Sequence, residues 1–179
     1  MAINYIKRYK DLLELNHFNE WARKKSLKAI FDRDIANNEY FHFKTKIIRP
    51  LKKEDEIDVE SLFKHLTYRT ESFKENKKEK YKSRDIFDFE RSKRLHWILP
   101  HIKESIKDEV RVFSSNNRIG GKDVIRTYIH NVTEKYVIIL EPQRSGLDYY
   151  FITAFYLEKK FGGLNMIKNK YRTKFNEVY

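Results

Sequence analysis

Three side chains able to do chemistry alternate along the segment VIRTYIH, residues 124–130. If this segment is a strand, Arg126, Tyr128 and His130 point to one face, and the Ile and Thr residues between them point to the other. A guanidinium can hold a phosphate, while an imidazole or a phenol can transfer a proton. Cleavage of RNA without a metal ion needs these types of group. Polar residues that simply face water on an edge strand would give the same alternation.

A second group of basic and aromatic residues lies in DFERSKRLHWILPHI, residues 88–102, which has the pattern of an amphipathic helix. Arg91, Arg94 and His101 are spaced so that they share one face of such a helix. Arg94 could clamp a phosphate with its planar guanidinium. His96 is a candidate acid or base beside the apolar stripe, although a histidine in that position is more often part of a hydrogen-bonded core.

Further cations outside these segments could contact an RNA backbone. Arg144, in QRSG, is predicted at the tip of a hairpin, where it could reach RNA or be solvated. Lysine-rich runs could add non-specific affinity for phosphates, and the candidate contacts near the C-terminus are Lys159, Lys170 and Arg172. The remaining histidines lack the His–Glu spacing of a zinc site, so no metal or other cofactor is expected.

The composition favours a polyanionic partner and excludes chemistry that depends on cysteine. The chain of 179 residues has 38 Lys and Arg against 26 Asp and Glu, which gives a formal charge of +12. This balance favours nucleic acid first, and an acidic protein or an anionic membrane surface second. Without Cys there is no disulfide, zinc thiolate or Cys nucleophile. No apolar run is long enough for a membrane helix and no signal peptide is visible, so we expect a cytoplasmic protein that does not enter a membrane.

Hydrophobic periodicity divides the chain into three parts. Residues 1–75 are predicted to be mainly helical, with helices up to residue 35, one strand at 39–50 and a helix capped by Asp58. Residues 76–83 lie in a charged stretch without aliphatic side chains and are predicted to be a linker. Residues 84–179 are predicted to form a helix, four strands with short turns, and a basic C-terminal helix. The short turns indicate a four-stranded antiparallel meander, so the predicted fold class is α+β.

Residues 84–175 resemble the phage and prophage members of the barnase–EndoU–colicin–RelE (BECR) nuclease superfamily. The resemblance rests on FERSKRLHWILPHI, KYVIILEPQ and DYYFITAFYLEKK, together with the basic C-terminal helix, and covers about half of the chain. It implies a helix or two followed by an antiparallel sheet, and metal-independent cleavage of RNA. It also implies an antitoxin or immunity protein as a partner, because an active ribonuclease is toxic to its host. The N-terminal part carries no such resemblance.

The resemblance also implies roles for the histidines and arginines. The enzyme would cut RNA by transesterification at the 2′-hydroxyl and leave a 2′,3′-cyclic phosphate. His130 or His96 would be the base or the acid. Arg94 and Arg126 would hold the scissile phosphate.

Tyr128 and Thr153 would orient that phosphate, since the Thr of FITAF stands where the group often has a polar residue. On a regular strand Thr153 shares a face with Phe151. Two other functions stay open: a non-catalytic module that binds RNA or another nucleic acid, and a phage-derived interaction protein that has lost the site. Convergence of the His and Arg side chains would favour the nuclease, and their separation would favour binding alone.

Overall fold

The computed structural model describes residues 2–50, 52–53, 56–75, 79–158 and 163–179. The fold is α+β, as the sequence predicts. The α-helices in these residues are α1 Ala2–Tyr5, α2 Glu20–Phe31, α3 Val59–Thr67, α4 Phe89–Ser92, α5 Ile98–Ile102 and α6 Gly163–Arg172. The strands are β1 His42–Phe43, β2 Lys46–Pro50, β3 Lys52–Lys53, β4 Glu56–Ile57, β5 Tyr68–Glu75, β6 Glu79–Phe87, β7 Val110–Ile119, β8 Lys122–Asn131, β9 Tyr136–Pro142 and β10 Asp148–Tyr156. In the described part of the chain, every helix is too short or too polar to cross a membrane.

The main sheet has six strands in the order β1-β2-β10-β9-β8-β7. Strands β7 to β10 pair antiparallel with their neighbours in the chain, whereas β2 pairs with β10 in parallel. The sheet is therefore mixed and larger than the four-stranded sheet predicted from the sequence. The strand predicted at residues 39–50 is instead a hairpin, because the chain turns at Lys44, which has a positive φ of 53°. Strands β2 and β10 are distant in the chain, so their pairing leaves no mark on local periodicity.

A layer of helices packs on one face of this sheet and joins the two halves of the chain. Phe31 of α2 and Phe63 of α3 are buried in one cluster with Ile129, Ile138 and Phe151 of the sheet. Each fully buried side chain of this size contributes roughly 1.5–3 kcal/mol. The N-terminal helices and the C-terminal strands therefore share one core.

The linker predicted at residues 76–83 lies only partly within the described residues. Residues 79–83 belong to β6, which pairs antiparallel with β5, and residues 76–78 lie outside. Because strand pairing is made by the backbone, charged residues can pair in this way without the apolar alternation that predicts a strand. The predicted start of α3 is confirmed, since the Asp58 side chain accepts a hydrogen bond from the Ser61 backbone N–H at 2.7 Å.

Residues 6–19, predicted to be helical, form no helix in the structure. They cross the helix layer as irregular chain until Asn19 caps α2. Leu13 and Leu15 are both buried, which is the spacing of an extended chain. The Leu13 N–H donates to the Lys93 carbonyl at 3.0 Å. The leucines that suggested a helix therefore reach the core from an extended segment.

The single helix predicted for DFERSKRLHWILPHI is broken into α4, a 3₁₀ turn at Leu95–Trp97, and α5. The break is at Arg94, whose φ of −110° and ψ of 13° are not helical. Its guanidinium donates to the Glu90 carbonyl at 2.7 Å, which is the oxygen that the Arg94 backbone N–H would use in an α-helix. That N–H donates instead to the Arg91 carbonyl at 3.1 Å. The face predicted for these arginines and His101 on a regular helix therefore does not form.

Candidate functional site

The sheet face turned away from the helix layer carries the alternating residues of β8. Ile129 packs in the main core, so Arg126, Tyr128 and His130 lie on the opposite face. Helix α6 covers part of this face, where its Ile167 is buried together with Tyr128. The part of this face next to α6 is therefore covered and does not face solvent.

Arg126 forms an ion pair with Glu141 on the neighbouring strand β9. The Arg126 Nη2 and Glu141 Oε2 atoms are 2.9 Å apart, and the two side chains are only 13% and 24% exposed. Burial lowers the pKa of Arg126, and the negative charge of Glu141 opposes this shift. The Arg126 Nε is buried and has no hydrogen-bond partner among the described residues. This guanidinium therefore keeps an unused donor beside a carboxylate.

Tyr128 is buried and hydrogen-bonded, so it is held in one position. Its ring stacks on that of Phe113, with centroids 4.9 Å apart and planes 9° from parallel. Its hydroxyl donates to the Asn117 side-chain oxygen at 2.9 Å. Burial raises the pKa of Tyr128, which keeps the phenol protonated. The group can donate a hydrogen bond, and it is a poor base.

His130 lies on the same face as Arg126 but four residues along the strand, roughly 13 Å away. One phosphate does not span that distance. The imidazole is 8% exposed, and its buried Nε2 has no partner among the described residues. Burial lowers the pKa of His130, and the nearby Arg111 lowers it further. His130 is therefore neutral at neutral pH and is separated from the Arg126–Glu141 pair.

Thr153 is turned to the opposite side from the one that regular alternation predicts. The register of β10 on β9 shifts between Phe151 and Thr153. Phe151 packs in the main core, whereas Thr153 pairs with Ile139, which packs on the cluster under α6. The bulge therefore brings Thr153 to the face that carries Tyr128.

A cleft of about 690 Å³ lies where β8 begins, β9 ends and β10 begins. Glu141 and Tyr150 line it, and their Cα atoms are registered partners on β9 and β10. Arg144, in the turn between these strands, lines the cleft as well, and so does Arg49, whose Nε is 3.3 Å from Asp148. Arg144 is exposed. The predicted RNA contact at Arg144 and the Arg126–Glu141 pair are thus at the same end of the sheet.

The arginines of the broken helix are bound inside the protein. Arg94 is 8% exposed, forms a 2.8 Å ion pair with Glu90, and lies over the Tyr156 ring at 4.2 Å. Arg91 donates to the His65 carbonyl at 2.5 Å. The expectation that Arg94 and Arg126 hold one phosphate is not met, because the Arg94 guanidinium is occupied beside β10. Arg91 likewise has its hydrogen bonds within the fold.

The two histidines of this segment lie on the helix-layer side of the sheet, opposite the face that carries Arg126. His96 is 4% exposed and its Nε2 is 3.3 Å from the Arg8 carbonyl. His101 is 1% exposed, with its Nδ1 at 2.6 Å from the Trp97 carbonyl. Burial lowers the pKa of both imidazoles. His101 cannot touch RNA from this position, and His96 belongs to a different pocket from Glu141.

Two of the three remaining candidates for RNA contact, Lys170 and Arg172, lie on helix α6. Lys170 donates to the Asn116 carbonyl at 2.7 Å, which ties α6 to β7, and Arg172 is exposed. Lys159 lies outside the described residues. Lys170 therefore has a structural bond of its own, and Arg172 is available to an anion at the rim of the sheet.

Sequence reasoning missed both Tyr150 and Glu141, which line this site. Glu141 ends the apolar run VIIL in β9, and a lone carboxylate after such a run was a local signal. Its partner on β8 is set by strand register, which the local sequence does not give. Among the described residues, no three His, Asp or Glu side chains are grouped so that they could hold a metal ion. Comparison with protein-family models, curated proteins and solved structures finds no match for this chain.

Proposed function

We propose that this protein binds RNA and cleaves it without a metal ion, at the Arg126–Glu141 pair beside the cleft at the end of the sheet. A single observation carries the proposal: a carboxylate and a guanidinium lie 2.9 Å apart, partly buried, and the carboxylate lines a cleft large enough for a nucleotide. The formal charge of +12 supports a polyanionic substrate.

The fold proposed for residues 84–175 is BECR-like. Support comes from the resemblance in sequence and from the consecutive antiparallel pairing of β7 to β10 behind a helical segment. In this interpretation β1 and β2 extend the sheet beyond β10. An antitoxin or immunity protein as a partner follows from the same proposal.

The chemistry of the proposed site is transesterification. The Glu141 carboxylate takes the proton of the 2′-hydroxyl, the 2′-oxygen bonds to phosphorus, and the bond to the 5′-oxygen breaks. Arg126 stabilises the negative charge that grows on the phosphate oxygens. Tyr150, which lines the cleft beside Glu141, donates its hydroxyl proton to the leaving 5′-oxygen, and solvent then takes the proton from Glu141 and restores the phenol. The products are a 2′,3′-cyclic phosphate and a free 5′-hydroxyl.

The test is incubation of total RNA with the purified protein in EDTA. A Glu141→Gln variant keeps the shape of the side chain and removes the base, so the cleavage rate should fall by at least about 100-fold. Glu109→Gln is the matched control, because Glu109 pairs with Arg111 at 2.6 Å on the same sheet but is 55% exposed and outside the cleft. Equal cleavage by wild type and Glu141→Gln would refute the proposed site.

A second function, RNA binding without cleavage, is favoured by one observation. Arg94, His96 and His130 do not converge on Arg126. A gel-shift assay in EDTA distinguishes the two functions. RNA that is shifted but stays intact with wild type, and is shifted less with Arg144→Ala, would replace the nuclease with a binding module.

A further inference from the structure

A pocket of about 790 Å³ lies between the N-terminal segment and the chain from residue 96 to residue 108, away from the proposed RNA cleft. Its basic lining residues are Lys7, Arg8, Lys10, Arg33 and Lys107. Its acidic lining residues are Asp34 and Asp108. The volume is within the range of small-molecule sites, roughly 300–1,000 Å³.

Both carboxylates of this pocket are neutralised by the protein. Arg33 binds Asp34 with its Nε at 2.6 Å and its Nη2 at 2.8 Å. Lys10 lies 2.8 Å from Asp108, which also accepts hydrogen bonds from Asn131 and from the Tyr9 hydroxyl. Burial pushes the pKa of Asp108 upward, but these hydrogen bonds outweigh it and lower the pKa to about 2. Neither carboxylate is left to repel an anion strongly.

Two cations of the pocket are unpaired. Among the described residues, the side chains of Arg8 and Lys107 have no hydrogen-bond or ion-pair partner, and both are exposed. Lys7, by contrast, is 3.1 Å from Glu14. The field in the pocket is therefore positive, and two of the charges that produce it are available to a ligand.

His96 fixes the position of one of these cations. A carbonyl oxygen can only accept, so the His96 Nε2 carries the proton in its 3.3 Å contact with the Arg8 carbonyl. The ring is 4% exposed, and its Nδ1 has no partner among the described residues. Because burial lowers the pKa of His96, the imidazole is neutral and adds no charge of its own. It acts as a positioning residue that holds the Arg8 backbone at the wall of the pocket.

We propose that this pocket binds a phosphomonoester, with Arg8 and Lys107 on the phosphate and the rest of the ligand in the remaining volume. A phosphomonoester has about −1.5 to −2 charges at neutral pH, which matches two unpaired cations better than a monoanionic diester does. The phosphate could belong to a free nucleotide or to the 5′ end of an RNA strand. The site does not depend on the Arg126–Glu141 pair.

Isothermal titration calorimetry with adenosine monophosphate, adenosine and inorganic phosphate tests the proposal on the full chain. We expect heat from the monophosphate and not from adenosine, and at least about a tenfold weaker Kd for both Arg8→Ala and Lys107→Ala. The matched control is Lys103→Ala, which removes an exposed lysine that does not line the pocket. Equal binding of adenosine and its monophosphate would overturn the proposal, and so would wild-type affinity in both variants.

Two further arms locate the site and identify the source of the phosphate. Arg144→Ala should leave the Kd for adenosine monophosphate unchanged, because Arg144 belongs to the other cleft. Loss of binding in Arg144→Ala, with wild-type binding in Arg8→Ala, would move the phosphate site to the sheet and refute the proposal. A short RNA with a 5′-phosphate that competes with the monophosphate, while its 5′-hydroxyl counterpart does not, would identify an RNA end as the ligand. Competition by neither RNA would identify a free nucleotide.

Discussion

The two ends of β8 carry polar side chains in opposite states of hydrogen bonding. At one end Asn131 is fully buried and donates to the His101 Nε2 at 3.0 Å and to Asp108 at 2.9 Å. Towards the other end, the Arg126 Nε is buried without a partner among the described residues. A buried group with all its bonds made stabilises a fold, whereas an unsatisfied one costs free energy until a ligand or water meets it.

The bonded end also joins the N-terminal segment to the sheet. The Tyr9 hydroxyl donates to Asp108, and the Tyr9 ring packs edge-on against Trp97 with centroids 5.0 Å apart. Lys10 bridges Asp108 and Glu134 at 2.8 Å and 3.0 Å. This network explains why residues without helical structure nevertheless have a fixed path. Asn131 and His101 therefore serve the fold, whereas Arg126 keeps a donor for a ligand.

The largest effect that we predict is the loss of Asn131. Replacing it by Ala leaves the buried His101 Nε2 without a partner and removes one of the hydrogen bonds to Asp108, so the free energy of unfolding should fall by about 3 kcal/mol. Asn117→Ala is the matched substitution, beside the other end of β8. Asn117 is half-buried and makes two hydrogen bonds: it accepts one from the Tyr128 hydroxyl and donates one to the Ser115 carbonyl. It should cost about 1 kcal/mol or less. Urea denaturation measures both losses. Equal losses would show that the hydrogen bonds of Asn131 stabilise the fold no more than those of Asn117.

Substitution by Phe should change the free energy of unfolding differently at two buried histidines, His101 and His130. His101→Phe removes an acceptor from Asn131 and should lower the free energy of unfolding by about 2 kcal/mol. His130→Phe replaces an imidazole whose Nε2 has no partner, and should be neutral or stabilise the fold by up to about 1 kcal/mol. The urea midpoints of the two variants measure these changes in stability. A loss in His130→Phe as large as that in His101→Phe would mean that the His130 imidazole is bonded in solution.

Local patterns predicted much of the sheet and little of the site. The alternation in β8 placed Arg126, Tyr128 and His130 on one face, and the Asp58 cap of α3 was read from the sequence. Both features depend on residues a few positions apart. Glu141 was missed because its contact with Arg126 depends on strand pairing between distant residues.

The helical segment shows a second limit of local reasoning. A spacing of three and four residues predicts a shared face only if the helix is continuous, and at Arg94 the side chain takes the carbonyl that the backbone would use. Leucines at positions 12, 13 and 15 fit a helix as well as an extended chain. The segment is extended, because this conformation buries both Leu13 and Leu15 in the core. In each case a contact distant in the sequence, or one made by a side chain, overrides the local pattern.

Acid should destabilise the protein over a pH range that is set by the pKa values of its buried histidines. Burial lowers the pKa values of His96, His101 and His130 in the folded state. The unfolded chain therefore binds protons first as the pH falls below about 6.5, and folding stability drops from there. Each histidine adds a slope of at most about 1.4 kcal/mol per pH unit. Urea midpoints at neutral and mildly acidic pH measure this slope, which should be shallower in His130→Phe.

Asp108 gives an internal control for that pH range. Its pKa is lowered to about 2, so its contribution is complete above the unfolded value and is lost only as the pH falls through about 2. Asp108→Asn should therefore lower the free energy of unfolding throughout the pH range in which the histidines titrate. If the slope of stability against pH is the same in His130→Phe as in wild type, the His130 pKa is not shifted by folding.

The smallest effect on stability is expected from loss of the Tyr128 hydroxyl. Tyr128→Phe keeps the stack on Phe113 and removes one hydrogen bond to Asn117, so stability should fall by about 0.5–1 kcal/mol. Tyr136→Phe is the control, since that buried hydroxyl makes only a 3.5 Å contact with the Arg94 carbonyl and should cost less. If RNA cleavage falls by more than about tenfold in Tyr128→Phe alone, the phenol touches the substrate. The unsatisfied end of β8 would then extend from Arg126 to Tyr128, and the substrate would reach under the edge of α6.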